Sequence, residues 1–395
     1  MQATYGLPGV GIGVLNVTPQ NSMYKETARR EANLHTTNRS LEGLRGTAAL
    51  LVVFFHMKIL SAYSGVVQNG YLSVDLFFVL SGYVICSAYA SRLTNSREVF
   101  RFVVRRIGRL WPLHALSSVL FYGLLSLHAV MSHQPVVVPT PAEFVSLLTM
   151  TNGFNLFDHN IGNSVSWSAG DEIYVYVVFA VTCIALRVRV SVLFAAFAII
   201  GALIAFRINA EYCFTHGACY DMTYSFGWAR CLAGFFIGAL VARHGDALHF
   251  LTSQKCQVIA AISALVLLQI AAVVPPLAFG APIVFGLLVA SLARDSGPVA
   301  SLLRKRPLQY LGEVSYALYL SHAVFLVYFV NLVDVPGHHL AWQAGCCAGF
   351  LFVSFALAHF LHRYIEVPLR EQIYAFAERM PVIRGRNETG LTAND

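Results

Sequence analysis

Two ionisable residues in one apolar stretch are the first candidates for chemistry in this chain. Arg45 and His56 are eleven positions apart. In a helix this spacing is about three turns, so both side chains share one face about 16 Å apart. Ionisable residues in apolar surroundings are costly, and this makes them functional candidates. An alternative stays open, in which Arg45 extends to the membrane surface and His56 hydrogen-bonds a neighbouring helix.

A second group of polar residues opens a later apolar stretch. Ser168, Asp171 and Glu172 follow Trp167 at spacings of three and four, so they share a helix face. Ser and Asp favour the first turn of a helix, which gives a structural alternative for Ser168 and Asp171. For Glu172 the alternative is an ion pair, for which Arg230 is the candidate partner.

Arg106 and Arg109 form a third candidate, because residues three apart lie on one side of a helical turn. Two guanidinium groups in this arrangement can grip a phosphate with forked donors. The alternative is that they are retained only because basic residues hold short loops in the cytoplasm. Asp75 and His322 are weaker, isolated signals, since a lone buried histidine is usually a packing residue.

The elements that position these residues are membrane helices. Of the 395 residues, 57% are hydrophobic and only 12% are charged, whereas about a quarter of a soluble domain is charged. A span needs about 20 apolar residues. The sequence predicts an all-α, polytopic bundle of ten spans, at about 44–63, 70–91, 110–130, 163–186, 191–208, 224–242, 256–275, 279–293, 310–332 and 341–362.

The basic residues predict the orientation of this bundle. With the amino terminus inside, 23 of the 27 lysines and arginines fall in cytoplasmic segments, as the positive-inside rule requires. Both termini are therefore expected in the cytoplasm. The net charge of +7 is a topology signal and does not indicate a nucleic-acid partner.

Outside the spans we expect two tails and one outer stretch. Residues 1–38 contain no apolar run long enough for a signal peptide and are expected to form a disordered cytoplasmic tail, followed by the membrane domain at 39–370 and a second cytoplasmic tail at 371–395. The outward stretch 131–162 holds a short apolar segment that predicts an interfacial helix roofing the outer face. In the outward loop 209–223, two cysteines, Cys213 and Cys219, could be bridged or free.

Six ordered elements within about 38–370 resemble the acyltransferase-3 family of membrane O-acyltransferases. They are Leu41-Glu42-Gly43-Leu44-Arg45-Gly46 with His56, Val74-Asp75-Leu76-Phe77-Phe78-Val79-Leu80-Ser81-Gly82, Arg106-Ile107-Gly108-Arg109, Trp167-Ser168 with Glu172 and Tyr176, Leu311-Gly312 with Ser315-Tyr316, Tyr319-Leu320 and His322, and Ile365-Glu366-Val367-Pro368. Three positions depart from the family pattern, namely Ala169, Gly170 and Val175. This departure weakens the packing argument around the fourth span.

The resemblance implies transfer of an acyl group, most often acetyl, from cytoplasmic acyl-coenzyme A to a hydroxyl of a cell-surface or lipid-linked carbohydrate. His56 would be the general base, and Arg45 would hold or orient the donor. Arg106 and Arg109 would anchor the donor's phosphates. Glu172 would shape the acceptor side or orient His56.

Four further residues are expected on the substrate side, namely Trp167, Asp75, Ser168 and His322. The resemblance implies acetyl-coenzyme A or another acyl-coenzyme A as donor, no metal, and residence in a bacterial inner membrane in contact with lipid. Two rivals remain, an O-acyltransferase for a macrolide or other small molecule, and a glycan or lipid transporter without acyl transfer. A homo-oligomer also stays open.

Overall fold

The fold is built from helices joined by turns. The computed structural model describes residues 38–58, 64–185, 189–217, 219–333 and 340–379. The main helices are α1 (Arg39–Met57), α2 (Ser73–Tyr89), α3 (Ser96–Met131), α4 (Pro141–Thr149), α5 (Trp167–Ala185), α6 (Val190–His216), α7 (Gly227–Arg243), α8 (Gln254–Ile270), α9 (Ala281–Ser291), α10 (Arg306–Glu313), α11 (Ser315–Val333), α12 (Leu340–Leu361) and α13 (Val367–Arg379). Short helical turns lie at Gly65–Gln68, Gly70–Leu72, His249–Thr252, Pro275–Gly280 and Pro298–Leu303, and a π-helical turn at His362–Glu366 joins α12 to α13.

The predicted all-helical class is confirmed over the described ranges, which contain no strand. Five helical segments there are long and apolar enough to cross a membrane, at Gly70–Tyr89, Ser96–Met131, Trp167–Ala185, Val190–His216 and Ala341–Arg379. Large apolar side chains on α6, such as Ile199 at 58% and Leu203 at 57%, are exposed as expected for a lipid-facing surface. The count of ten spans and the cytoplasmic location of the termini stay predictions.

Helix α3 begins well before the predicted third span. Asn95 caps its first turn by accepting a hydrogen bond from the Glu98 backbone at 3.0 Å, and the helix then continues through Pro112 to Met131. The basic residues just before the predicted third span, namely Arg97, Arg101, Arg105, Arg106 and Arg109, therefore lie on this helix. Arg106 and Arg109 are consequently held by a regular backbone rather than by a loop.

Close approach of two backbones joins α2 to α7. A side-chain carbon at Gly82 would lie 1.8 Å from the Phe235 carbonyl oxygen, and one at Gly238 would lie 2.0 Å from the Val79 carbonyl oxygen. Small residues allow membrane helices to pack closely in this way. The α2–α7 pair forms the rigid centre that carries Asp75.

Close packing at glycines also joins α1 to α10. A side-chain carbon at Gly46 would lie 2.5 Å from the Gly312 backbone nitrogen, and one at Gly312 would lie 2.3 Å from the Glu42 carbonyl oxygen. Gly46 and Gly312, which belong to two separate elements of the family resemblance, thus lie at one helix contact. Their contact fixes the part of α1 that carries Arg45.

Helix α4 is joined to α3 at its carboxyl-terminal end. The Leu147 carbonyl contacts the His114 Nε2 atom at 2.9 Å, and the Leu148 carbonyl accepts a hydrogen bond from the Trp111 indole at 2.9 Å. Trp111 lies at the start of the predicted third span, close to the arginine pair. The short helix predicted in this stretch is therefore present, and most of it is exposed, including Phe144 and Val145. Its place over the outer face stays a prediction.

The loop that follows α4 is linked to it through His159. The imidazole contacts Asp158 at 2.6 Å and Glu143 at 2.8 Å. The hydrogen bond to Asp158, followed by the one to Glu143, raises the pKa of His159 above its usual value of 6.5. The contact between α4 and its loop is therefore strongest when the imidazole is charged.

Cys213 and Cys219 are joined by a disulfide at the end of α6, which decides between the two alternatives left by the sequence. The Cys219 carbonyl accepts a hydrogen bond from the Tyr71 hydroxyl at 2.6 Å. The bridge therefore fixes the loop that leads into α7.

Candidate active site

Two histidines from distant parts of the chain meet near the end of α1. The Nε2 atom of His322 lies 3.3 Å from the Nδ1 atom of His56, and the ring centroids are 5.0 Å apart. His322 is fully buried, whereas His56 is partly exposed. The contact between His56 and a neighbouring helix, which the alternative describes, is therefore present. Both partners are imidazoles, which can also act in acid–base chemistry.

Backbone carbonyls define the tautomers of this pair. His56 Nδ1 lies 2.9 Å from the Val52 carbonyl, and His322 Nδ1 lies 3.0 Å from the Leu318 carbonyl. A carbonyl oxygen only accepts, so in the neutral rings both Nδ1 atoms carry the hydrogen. The Nε2 atom of His322 is then an acceptor directed at His56. The Nε2 atom of His56 is left unprotonated, as a general base requires.

Arg45 lies toward the other end of α1 and is paired on its own helix. Its guanidinium donates to the Glu42 carboxylate at 2.8 Å, and about a quarter of each side chain is exposed. A partly exposed pair at this spacing is a weak contact. Arg45 can therefore exchange Glu42 for an anionic ligand at low cost.

Arg106 lies in an aromatic enclosure. Its guanidinium carbon is 5.4 Å from the ring centre of Tyr89, 5.8 Å from that of Phe102 and 5.9 Å from that of Tyr176. It also donates to the hydroxyls of Tyr89 at 3.4 Å and Tyr374 at 3.2 Å. Cation–π contacts and hydroxyl acceptors stabilise the charge without a carboxylate.

Arg109 has different surroundings, although it is only three residues away. It forms an ion pair with the buried Glu366, and its guanidinium lies 5.5 Å from the ring centre of Tyr316. The two arginines therefore do not form a symmetric pair with equivalent surroundings. Both lie on α3, but each is held by different partners, most of which belong to other helices.

Glu172 is hydrogen-bonded next to the Arg106 enclosure. The Tyr176 hydroxyl donates to Glu172 at 2.5 Å and also contacts the Ser81 hydroxyl at 2.8 Å. The ion pair between Glu172 and Arg230, considered from the sequence, is wrong. Arg230 instead binds Asp75, 155 positions away, because α2 and α7 pack directly on each other.

The residues expected on the substrate side are all buried. Asp75 is occupied by Arg230, and Trp167 packs with its ring centre 5.4 Å from the Arg230 guanidinium. Ser168 shares a hydrogen bond with the Tyr319 hydroxyl at 2.9 Å. His322 faces His56. These contacts give each group a structural partner, and direct substrate contact stays a prediction for all four.

Two carboxylates were missed as site residues by the sequence argument. Asp171 is 1% exposed and finds no hydrogen-bond partner among the described residues, which is a costly arrangement. Glu366 is 3% exposed and lies among basic groups. An acid inside an apolar stretch is the available signal for Asp171, whereas Glu366 follows the last predicted span and stands only within a motif.

Comparison with known proteins agrees with this architecture. The family described as an acyltransferase domain matches residues 38–359. The chain therefore belongs to the acyltransferase-3 family, as the resemblance indicated. No solved structure shows a significant match to it.

Bacterial relatives match parts of the chain. Protein 2 in the picA locus of Rhizobium radiobacter is 38% identical over 81 residues, 20% of this chain and 41% of that protein. The peptidoglycan O-acetyltransferase OatA of Listeria monocytogenes is 25% identical over 124 residues, 31% of this chain and 18% of that protein. The O-acetyltransferase OatA of Staphylococcus aureus is 34% identical over 89 residues, 22% of this chain and 14% of that protein. The chain spans less than half the length of each.

Proposed function

We propose that this chain is a multi-pass O-acetyltransferase of a bacterial inner membrane. It moves an acetyl group from cytoplasmic acetyl-coenzyme A to a hydroxyl of a cell-surface or lipid-linked carbohydrate. The observation that carries the proposal is the histidine pair, with His56 partly exposed and its Nε2 atom free to accept a proton. Membership of the acyltransferase-3 family supports the reaction class.

In this reaction His56 acts on the acceptor hydroxyl. Its Nε2 atom takes the hydroxyl proton as the oxygen attacks the thioester carbon, and a tetrahedral intermediate forms. The carbon–sulfur bond then breaks, and His56 returns the proton to the leaving thiolate. The products are the ester and free coenzyme A. General-base catalysis of this kind contributes about 10²–10⁴-fold to the rate.

His322 stabilises the charged form of His56. When His56 Nε2 gains a proton, its Nδ1 atom keeps one, and both the Val52 carbonyl and His322 Nε2 lie within reach of that hydrogen. Hydrogen bonds to an ionised donor are stronger than neutral ones. His322 therefore orients the base and holds its proton, a role that differs from substrate binding.

The basic residues of α1 and α3 hold the donor on the cytoplasmic side. Arg106 and Arg109 bind the phosphates of coenzyme A, and Arg45 releases Glu42 to meet the donor between those phosphates and the thioester. The length of α1 between Arg45 and His56, about 16 Å, suits an extended pantetheine arm. Helix α1 thus serves the thioester through His56 and the middle of the donor through Arg45, and α3 binds its phosphates.

A hydroxyl-rich acceptor suits the other side of the site. Asp171 lacks a hydrogen-bond partner among the described residues, and Trp167, on whose ring Arg230 packs, lies one helical turn before it. Carboxylates accept hydrogen bonds from hydroxyl groups. One relative is named a peptidoglycan O-acetyltransferase, which supports a glycan acceptor.

Mass analysis of cell-surface glycans, with and without the gene, tests the function. We expect glycans heavier by one acetyl group only when the gene is present, and loss of that mass when His56→Ala replaces the wild type. A small-molecule acyltransferase would leave the glycans unchanged and consume acetyl-coenzyme A. A transporter would leave acetyl-coenzyme A unconsumed.

A further inference from the structure

The π-helical turn His362–Glu366 directs an acidic side chain into the protein. A π-turn interrupts the regular helix and is frequent at functional sites. Glu366, the last residue of the turn, is 3% exposed and faces α3. Its carboxylate is therefore held away from water beside Arg109.

Basic groups from three elements surround this carboxylate. Arg109 of α3 forms an ion pair with Glu366, His362 Nδ1 lies 2.9 Å from it, and Arg370 Nη1 of α13 lies 3.8 Å from it. Arginine is always charged, so one carboxylate faces two permanent positive charges. The cluster carries an excess positive charge before His362 is counted.

Arg370 is the member of this cluster that can receive a ligand. At 3.8 Å its contact with Glu366 is too long for a hydrogen bond. No hydrogen bond joins Arg370 to any other residue in the described ranges, and 29% of its side chain is exposed. The charge of Glu366 therefore orients the Arg370 guanidinium, whose N–H donors stay available to an anion.

The position of α13 makes this arrangement stable. Glu378, near the far end of α13, forms an ion pair with Arg105, and its carbonyl accepts a hydrogen bond from Arg101 at 3.3 Å. These contacts hold α13 along α3, and Arg370 consequently stays close to Arg109.

We propose that Arg370 and Arg109 together form a phosphate-binding site for the acyl donor, and that Glu366 is the residue that positions both guanidinium groups. This inference rests on the proposed function. Coenzyme A offers a diphosphate and a 3′-phosphate, and forked guanidinium donors suit either. Arg370 adds a binding group from the carboxyl-terminal helix to the pair on α3.

Steady-state kinetics with two donors test the site. Arg370→Gln is measured with acetyl-coenzyme A and with acetyl-dephospho-coenzyme A, which lacks the 3′-phosphate. We expect KM for acetyl-coenzyme A to rise about tenfold or more, with kcat little changed, because charged hydrogen bonds are lost from binding. A rise only for acetyl-coenzyme A identifies the 3′-phosphate as the ligand. An equal rise for both donors identifies the diphosphate.

Arg363→Gln is the matched control. Arg363 is an exposed arginine on the same π-turn, so its substitution removes the same charge without touching the cluster. We expect its KM values to equal those of the wild type. An unchanged KM in Arg370→Gln, or an equal rise in Arg363→Gln, overturns the site.

Glu366→Gln tests the positioning role. We expect it to raise KM for the donor, and to add little when combined with Arg370→Gln, because residues acting as one unit are not additive. Fully additive effects would overturn the role of Glu366. If the wild type turns over acetyl-coenzyme A and Arg370→Gln is unaffected, only this inference fails. A wild type without turnover removes the proposed function and this site with it.

Discussion

The buried ion pair between Asp75 and Arg230 predicts a large loss of stability in Asp75→Asn. The side chains are 0% and 1% exposed, and the guanidinium contacts both carboxylate oxygens, with Nη2–Oδ2 at 2.6 Å and Nε–Oδ1 at 3.2 Å. Removal of one partner leaves a buried charge uncompensated, which typically costs about 3–5 kcal/mol.

The surroundings of Arg230 place the expected value near the lower end of that range. Its guanidinium also donates to the Met222 carbonyl at 2.7 Å and to the Tyr71 carbonyl at 3.4 Å. These bonds survive in Asp75→Asn and continue to stabilise the charge. We therefore expect a loss of about 3 kcal/mol in the free energy of unfolding. Arg230→Gln should cost more, because it also leaves these carbonyls without their donor.

Unfolding in mixed micelles of increasing denaturing detergent measures this free energy. The control is Asp246→Asn, the same chemical change at an exposed position, for which we expect about 0.5 kcal/mol or less. The double variant Asp75→Asn with Arg230→Gln should lose clearly less than the sum of the single losses. A loss below about 1 kcal/mol in Asp75→Asn would refute the structural role. If that variant also showed a raised KM for the acceptor, the substrate-binding role predicted from the sequence would gain support.

Three further predictions concern the donor site, the topology and the outer loop. Arg106→Lys and Arg109→Lys should each raise KM for acetyl-coenzyme A about tenfold with kcat retained, since Lys cannot form a forked contact; a lowered kcat with unchanged KM contradicts this anchoring role. Cys213 and Cys219 should react with an impermeant maleimide from outside only after reduction, and labelling from the cytoplasmic side would overturn the predicted topology. Because its two carboxylate partners raise the pKa of His159 above 6.5, the stability from those contacts is fully present below that pH and is lost as the pH rises through the raised pKa. Protease cleavage of the loop after α4 should therefore increase above neutral pH, and His159→Gln should abolish the difference.

The helical class and the face shared by Arg45 and His56 could be predicted because both follow from local sequence. Apolar length predicts membrane helices, and a spacing of eleven predicts a common face. The structure adds the partner of His56, which lies 266 positions away. Periodicity within one helix holds no information about which distant helix packs against it.

The error in the partner of Arg230 has a physical origin outside the local sequence. The sequence suggests Glu172 as the partner, yet the close packing of α2 on α7 places Arg230 against Asp75. A hydrogen-bond partner on another helix decided the position of Arg230, and burial made that partner obligatory.

Acetyl transfer by purified protein in lipid nanodiscs tests the central claim most directly. Transfer of radiolabel from acetyl-coenzyme A to a glycan acceptor is compared between wild type and His56→Ala, with unfolding in detergent as the check on folding. We predict that His56→Ala folds like the wild type and loses about 10²–10⁴-fold in kcat, the contribution of a general base. Transfer at the wild-type rate by a folded His56→Ala protein would contradict the assignment of His56 as the catalytic base.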